Sequence, residues 1–163
     1  MHIIYKNKNI FCGNLKAKCA FGKKGVGLKR REGDLITPIG IYKINQLFYR
    51  KDRVKNLYSK IKKKIIRKNM GWCNDPKSPK YNRLIKYPYN FSSEKLYRED
   101  NIYDIILILN YNMRPTKKNK GSAIFIHVAK KKFQKTEGCL AIQKDKLKKL
   151  VKLINKNTKV IIT

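Results

Sequence analysis

Short β-rich apolar runs open the chain, over residues 2–5, 9–12 and 15–20, and Gly13-Asn14 between the last two is a hairpin-turn signal. After a glycine-rich basic stretch, Thr37-Pro38-Ile39-Gly40 punctuates a turn before a further strand over 41–48. Residues 50–70 combine dense Lys and Arg with apolar residues at Val54, Leu57, Tyr58, Ile61, Ile65 and Ile66; that near-helical spacing predicts a basic amphipathic helix with a solvated face. Residues 71–100 carry Pro76, Pro79 and Pro88 and read as one long loop, whose Tyr and Asn content suits the wall of a polar ligand groove. Continuous apolar strands follow at 104–110 and 122–128, then a segment at 136–142. Over 143–155, Leu147, Leu150, Val151 and Ile154 recur at helical spacing and predict an amphipathic helix with a lysine-rich outer face. Residues 159–163 read as a last strand. The pattern contains no repeat and no linker, so one domain over 1–163 is expected, mainly β with one or two packed helices.

Composition narrows the function classes. Of 163 residues 42 % are hydrophobic, enough for a core that folds alone, and no window approaches a membrane span. The first residues, Met1-His2-Ile3-Ile4-Tyr5-Lys6, lack the features of a secretory signal, which predicts a start in the cytosol. The formal charge is +31, from 41 Lys+Arg against 10 Asp+Glu, and such a field attracts polyanions. Lys, Ile, Asn and Tyr, all with A/T-rich codons, are abundant together, and nucleotide bias with solubility is the preferred account of the charge. A basic nucleic-acid-binding domain is the competing class. The basic residues are spread along the whole chain and match no reader motif, so no specific nucleic-acid partner is expected. The stretch from Phe21 to Arg31 departs from the phosphate-cradling G-x-x-x-x-G-K-[ST] pattern and reads as a surface loop.

The four cysteines, Cys12, Cys19, Cys73 and Cys139, lack paired Cys-x-x-Cys spacing, and His2 and His127 are the only histidines. Neither a zinc site nor a disulfide is expected, and Cys12, Cys19 and Cys73 read as small buried filler. Cys139 differs. It follows Gly138, and His127 follows the apolar run Ala123-Ile124-Phe125-Ile126. The intervening stretch is long enough for a loop and a return, so the two side chains can meet. A thiolate is the reactive form of cysteine, and a nearby imidazole can take its proton. Glycine lets backbone approach a reacting carbonyl, and the amides of Gly138, Cys139 and Leu140 can then form an oxyanion hole. A buried structural Cys with a satisfied His fits the same residues.

A resemblance separates these readings. Gly121-Ser122-Ala123-Ile124-Phe125-Ile126-His127, a loop, then Thr136-Glu137-Gly138-Cys139-Leu140-Ala141-Ile142 resembles the catalytic signature of the L,D-transpeptidase (YkuD) family, a strand-borne His followed by Ser/Thr-His-Gly-Cys. Upstream, Thr37-Pro38-Ile39-Gly40 is similar to the Thr-Pro-x-Gly that opens a strand in that family, and Gly71-Trp72-Cys73, Tyr81-Asn82-Arg83 and Tyr103-Asp104 resemble a bacterial subgroup. Two positions depart from the pattern: Glu137 stands in place of the usual His, and Ala141 where many members carry Arg or Asn.

The resemblance implies a β-sandwich of mixed sheets with a helix or two packed on it. It implies Cys139 as nucleophile, His127 as base and then acid, and Thr136 within the active-site turn. The substrate implied is a peptidoglycan tetrapeptide stem, whose acyl group passes to an amine, or to water in an L,D-carboxypeptidase. It places the protein in the cell envelope, against the cytosolic start above. No metal or organic cofactor is implied, and a monomer is expected. Arg98 and Tyr111 are candidates for the donor groove, Arg98 through a stem carboxylate, and Glu137 for a substrate amine. Trp72, the only tryptophan, is expected in the core.

Overall fold

The computed structural model describes Met1–Thr163. Strands β1 (Ile3–Lys6), β2 (Asn9–Cys12) and β3 (Leu15–Lys18) form an antiparallel meander whose inward positions are buried and whose alternate positions face out. The hairpin at Gly13 uses a left-handed backbone, φ +54°, as the sequence predicts. Short β4 (Val26–Gly27) and β5 (Thr37–Pro38) pair in parallel beside the sheet. Then come β6 (Gly40–Tyr49), β7 (Lys63–Ile65), β8 (Met70–Cys73), β9 (Leu84–Lys86), β10 (Ser93–Lys95), β11 (Ile105–Leu109), β12 (Phe125–Val128), β13 (Leu140–Ile142), the helix α1 (Lys144–Leu153) and β14 (Lys159–Ile162).

The main sheet runs β13-β12-β11-β6-β14-β1-β2-β3, with β7 added alongside β6. It curls until it nearly closes: just past β3, the Ala20 N–H donates to the Ala141 carbonyl (2.8 Å) and the Ala141 N–H to the Ala20 carbonyl (2.9 Å). Inside lies the larger core, including Ile3, Ile10, Leu47, Leu107, Ile126, Leu140 and Val160. Helix α1 packs against β3, β11 and β12 and fills one end with Leu147, Leu150 and Val151, the residues its periodicity singled out. Asp145 in its first turn and Lys152 in its last suit the helix dipole. The helix is too short to cross a membrane, and no other is long and apolar enough.

A second, three-stranded sheet in the order β10-β8-β9 covers part of the outer face of the first. Between the sheets lies a smaller core in which Met70, Trp72 and Leu96 meet Phe48, Ile106, Ile108 and Phe125. Trp72 is buried as expected, its ring edge-on to Phe125 at 5.5 Å and its Nε1–H donating to Asn82 Oδ1 at 3.0 Å. The architecture is therefore mainly β and two-layered, with one helix. It explains why β11 is continuously apolar. Ile105, Leu107 and Leu109 face the large core while Ile106 and Ile108 face the small one.

Two expectations fail here. The amphipathic helix over 50–70 is absent; turns lead from Arg50 to the extended β7, which pairs in parallel with β6. Its helical spacing was incidental, because Val54 and Leu57 belong to the large core and Ile66 to the small one, so these side chains point to two destinations. The single long loop expected over 71–100 is instead interrupted by the three short strands of the second sheet, joined by turns. Its strands are three or four residues long and include Ser93, Glu94 and Lys95, too short and too polar for an alternating signal.

Leu107 sits at the centre of β11 with no solvent exposure. Leu107→Ala is expected to cost about 2–5 kcal/mol of stability, measured as a lower urea midpoint with unchanged slope.

Candidate functional site

Strand register brings the two reactive side chains to one face. In the parallel β12–β13 pair Ile126 lies opposite Leu140 and His127 opposite Ala141. Ile126 and Leu140 point into the large core, so His127 and Cys139, one position away on neighbouring strands, point out of it. There a cavity of about 620 Å³ opens, lined by both. His127 is buried and Cys139 half-buried.

The thiol and the imidazole are each held by backbone. Cys139 Sγ donates to the Ala123 carbonyl (3.1 Å) and accepts the Phe125 N–H (3.4 Å). His127 Nδ1 lies 2.9 Å from the Val128 carbonyl, which only accepts, so the proton belongs on Nδ1 and Nε2 keeps its lone pair. The sulfur is bonded to Ala123 and Phe125 rather than to the ring. The ring of Tyr103 stands edge-on to His127 at 5.4 Å, and the Tyr103 hydroxyl donates to Glu94. Burial pushes the Cys139 thiol up to about 12, helped by the charge of Glu94, and pushes His127 down to about 4. The free site thus holds a neutral thiol beside a neutral imidazole.

The turn before the cysteine is built by close backbone contacts. Thr136 Oγ1 donates to the Cys139 carbonyl (2.6 Å) and accepts the Gly138 N–H (3.2 Å). Gly138 has φ +142°, and a Cβ there would lie 3.0 Å from the Ile36 carbonyl oxygen, so a side chain would be strained in conformation and crowded in space. That carbonyl immediately precedes Thr37, which is fully buried and accepts the Gly22 N–H at 2.8 Å. The Phe21 carbonyl in turn accepts the Thr136 N–H (2.8 Å). The Thr37-Pro38 motif therefore backs the Thr136–Gly138 turn directly. The Cys139 N–H has no partner within the protein, whereas Leu140 opens β13 with its side chain in the core.

Behind the sulfur, Ala123 has a left-handed backbone (φ +54°) and its N–H donates to Asn82 Oδ1 at 3.1 Å. Asn82 is buried and uses its whole side chain: Oδ1 also takes Trp72 Nε1–H, and Nδ2 donates to the Tyr111 and Asn112 carbonyls, each at 2.9 Å. One amide thus fixes the residue whose carbonyl receives the thiol.

The remaining predicted residues divide. Glu137 is exposed at the cavity wall. Arg98 lines the cavity, with its guanidinium held in a two-point pair by Asp100 (2.9 and 2.7 Å) and lying over the Tyr103 ring. Tyr111 is a correction. It is not part of the cavity lining; its hydroxyl donates to the Lys120 carbonyl (2.6 Å) and its ring packs edge-on to Tyr42, a structural role.

Sequence reasoning missed Glu94, Lys29 and Ser122 as site residues. Lys29 lines the cavity with its side chain almost wholly buried, bonded to Asp34 at 2.5 Å. Burial opposes ionisation of Asp34, yet hydrogen bonds from Lys29 and from three backbone N–H groups hold its carboxyl down at about 2. The Ser122 hydroxyl is buried in the cavity wall without a hydrogen-bond partner. The available signal was the scarcity of acids: Glu32, Glu94 and Glu137, three of only ten, line this cavity.

A cysteine and a histidine facing one cavity from adjacent strands, with a constrained glycine before the cysteine, suit acyl transfer through sulfur. The model of the L,D-transpeptidase catalytic domain, YkuD, matches residues 2–162, and the chain belongs to that family, whose members are cysteine-dependent and act on peptidoglycan. A search of curated proteins found no match.

Burying His127 neutral makes stability depend on pH. Its folded value near 4 lies below the ordinary 6.5, so as pH falls through that window the unfolded chain takes up the proton first and stability drops. His127→Gln is expected to remove up to about 3 kcal/mol of this acid-limb loss. Melting temperatures of the two proteins between neutral and acidic pH will converge towards the acid end if so.

Proposed function

We propose that this protein is a peptidoglycan L,D-transpeptidase that works through an acyl-enzyme on Cys139. What supports the reading most directly is the pairing of Cys139 and His127 across one face of β12 and β13, with Nδ1 of His127 tied to the Val128 carbonyl so that Nε2 is left to accept a proton. As a stem carbonyl enters, Nε2 takes the thiol proton while sulfur attacks the carbonyl carbon of the L-to-D bond. The oxygen gains the electron pair and is received by the Cys139 N–H, with Gly138 leaving room for its approach. The carbon–nitrogen bond breaks, and the departing D-residue takes its proton from His127. An acceptor amine then attacks the thioester carbon and His127 takes the amine's proton; the carbon–sulfur bond breaks, and His127 passes that proton to the leaving thiolate, restoring the thiol.

The resting neutral pair fits this sequence. With the thiol raised and the imidazole lowered, the ion pair forms only when a substrate displaces the sulfur from the Ala123 carbonyl. The charges around the cavity fit a zwitterionic stem. Lys29 and Arg98 suit its carboxylates, and Glu32, Glu94 and Glu137 suit an acceptor ammonium. The acidic group supports transfer to an amine over transfer to water.

Incubation with a disaccharide-tetrapeptide donor is expected to give a protein heavier by the donor minus its terminal residue, followed by cross-linked dimer, both read by intact mass and product analysis. Cys139→Ser is expected to abolish the adduct and turnover, and His127→Ala to slow acylation by about 10²–10⁴-fold. A carbapenem is expected to acylate the wild type at Cys139 and leave Cys139→Ser unmodified. Release of the D-residue with no dimer would assign hydrolysis instead, and a wild-type protein that forms no adduct with either reagent would refute the mechanism.

A further inference from the structure

The outer face of the main sheet has two halves. Over β11, β12 and the end of β6 it is covered by the second sheet and forms the small core. Over β2, β1, β14 and the start of β6 it is uncovered, and an outward position there would ordinarily be polar. Four apolar side chains instead stand in register across these strands: Phe11 opposite Ile4, Ile4 opposite Ile161, and Ile161 opposite Ile41. Ile4 is 40 % exposed and Ile41 66 %. At the usual strand spacing the row runs for about 14 Å.

Cations border this row. Lys16 lies opposite Phe11 and closes one end. The outward position on one flank is Lys6 on β1, with Lys18 beyond it across Asn9; on the other flank Lys159 lies opposite Lys43. These five strands contain no Asp or Glu at all. None of them lends a residue to the catalytic cavity.

We infer that this face docks the protein onto a lipid bilayer with anionic headgroups. A flat apolar row enters the boundary between headgroups and acyl chains, and the flanking lysines extend their stems along it to reach phosphates. The competing occupants use only part of the surface. A second copy would bring the same lysines onto one another in a chain of charge +31. A nucleic acid or other soluble polyanion would pair with the lysines and leave the isoleucines without a role.

The test is flotation with phosphatidylcholine vesicles, with and without phosphatidylglycerol, for the full chain and two double variants. The wild type is expected to float only with the anionic vesicles and to be released by salt. Ile4→Ser with Ile41→Ser, both at exposed positions, is expected to weaken that binding about tenfold or more while leaving heparin binding and the melting temperature unchanged. Lys43→Glu with Lys159→Glu is expected to weaken both vesicle and heparin binding. The inference is overturned if the wild type does not float, if it binds neutral vesicles equally, or if the serine variant floats like wild type, which would mark a polyanion surface. Reversible dimerisation that the serine substitutions abolish would also overturn it, by assigning the row to a second copy.

Discussion

Parallel pairing of β12 with β13 is the constraint on which the site rests. The side-chain period of a strand is two, so a slip of one residue would turn Cys139 into the large core and Leu140 out into the cavity. Several contacts oppose that slip. The Ile36 carbonyl crowds Gly138, Thr136 closes the turn through its hydroxyl, and the Ala20–Ala141 bonds clamp β13 from its other edge. The buried amide of Asn82 does the same for Ala123. Family-like motifs far apart in sequence, at Thr37-Pro38 and at Tyr81-Asn82-Arg83, thus converge as supports of the two segments that meet at the Cys139 sulfur.

Burial and charge work together around the sulfur. A thiol pushed upward and an imidazole pushed downward are each costly to ionise alone. Three carboxylates share the cavity wall with five cations, Lys23, Lys29, Arg98, Lys130 and Lys135, so both signs meet at one site on a strongly basic molecule. That contrast gives the cavity a chemical character the net charge conceals.

Much of the fold is legible in the sequence where a segment has a single destination. The meander of β1 to β3, the helix α1 and the last strand all follow from local period, because each presents one face to one core. Reading fails where a segment serves two cores, as between Val54 and Ile66, and where strands are too short to show a period, as in β8 to β10. At the site, Cys139 and His127 are legible because one motif carries both. Glu94 and Lys29 are not, since each reaches the cavity from a segment whose own pattern is silent about direction. Tyr111 was misjudged for the same reason: adjacency in a motif does not say which way a ring points.

The pairing of β1 with β14 has a consequence for how the molecule is made. The first and last strands are parallel neighbours, and β14 also separates β1 from β6. The large core therefore cannot close until residues 159–162 are available to join the meander to β6. Contacts of such sequence separation imply slow folding, with one edge of β1 unpaired until β14 arrives.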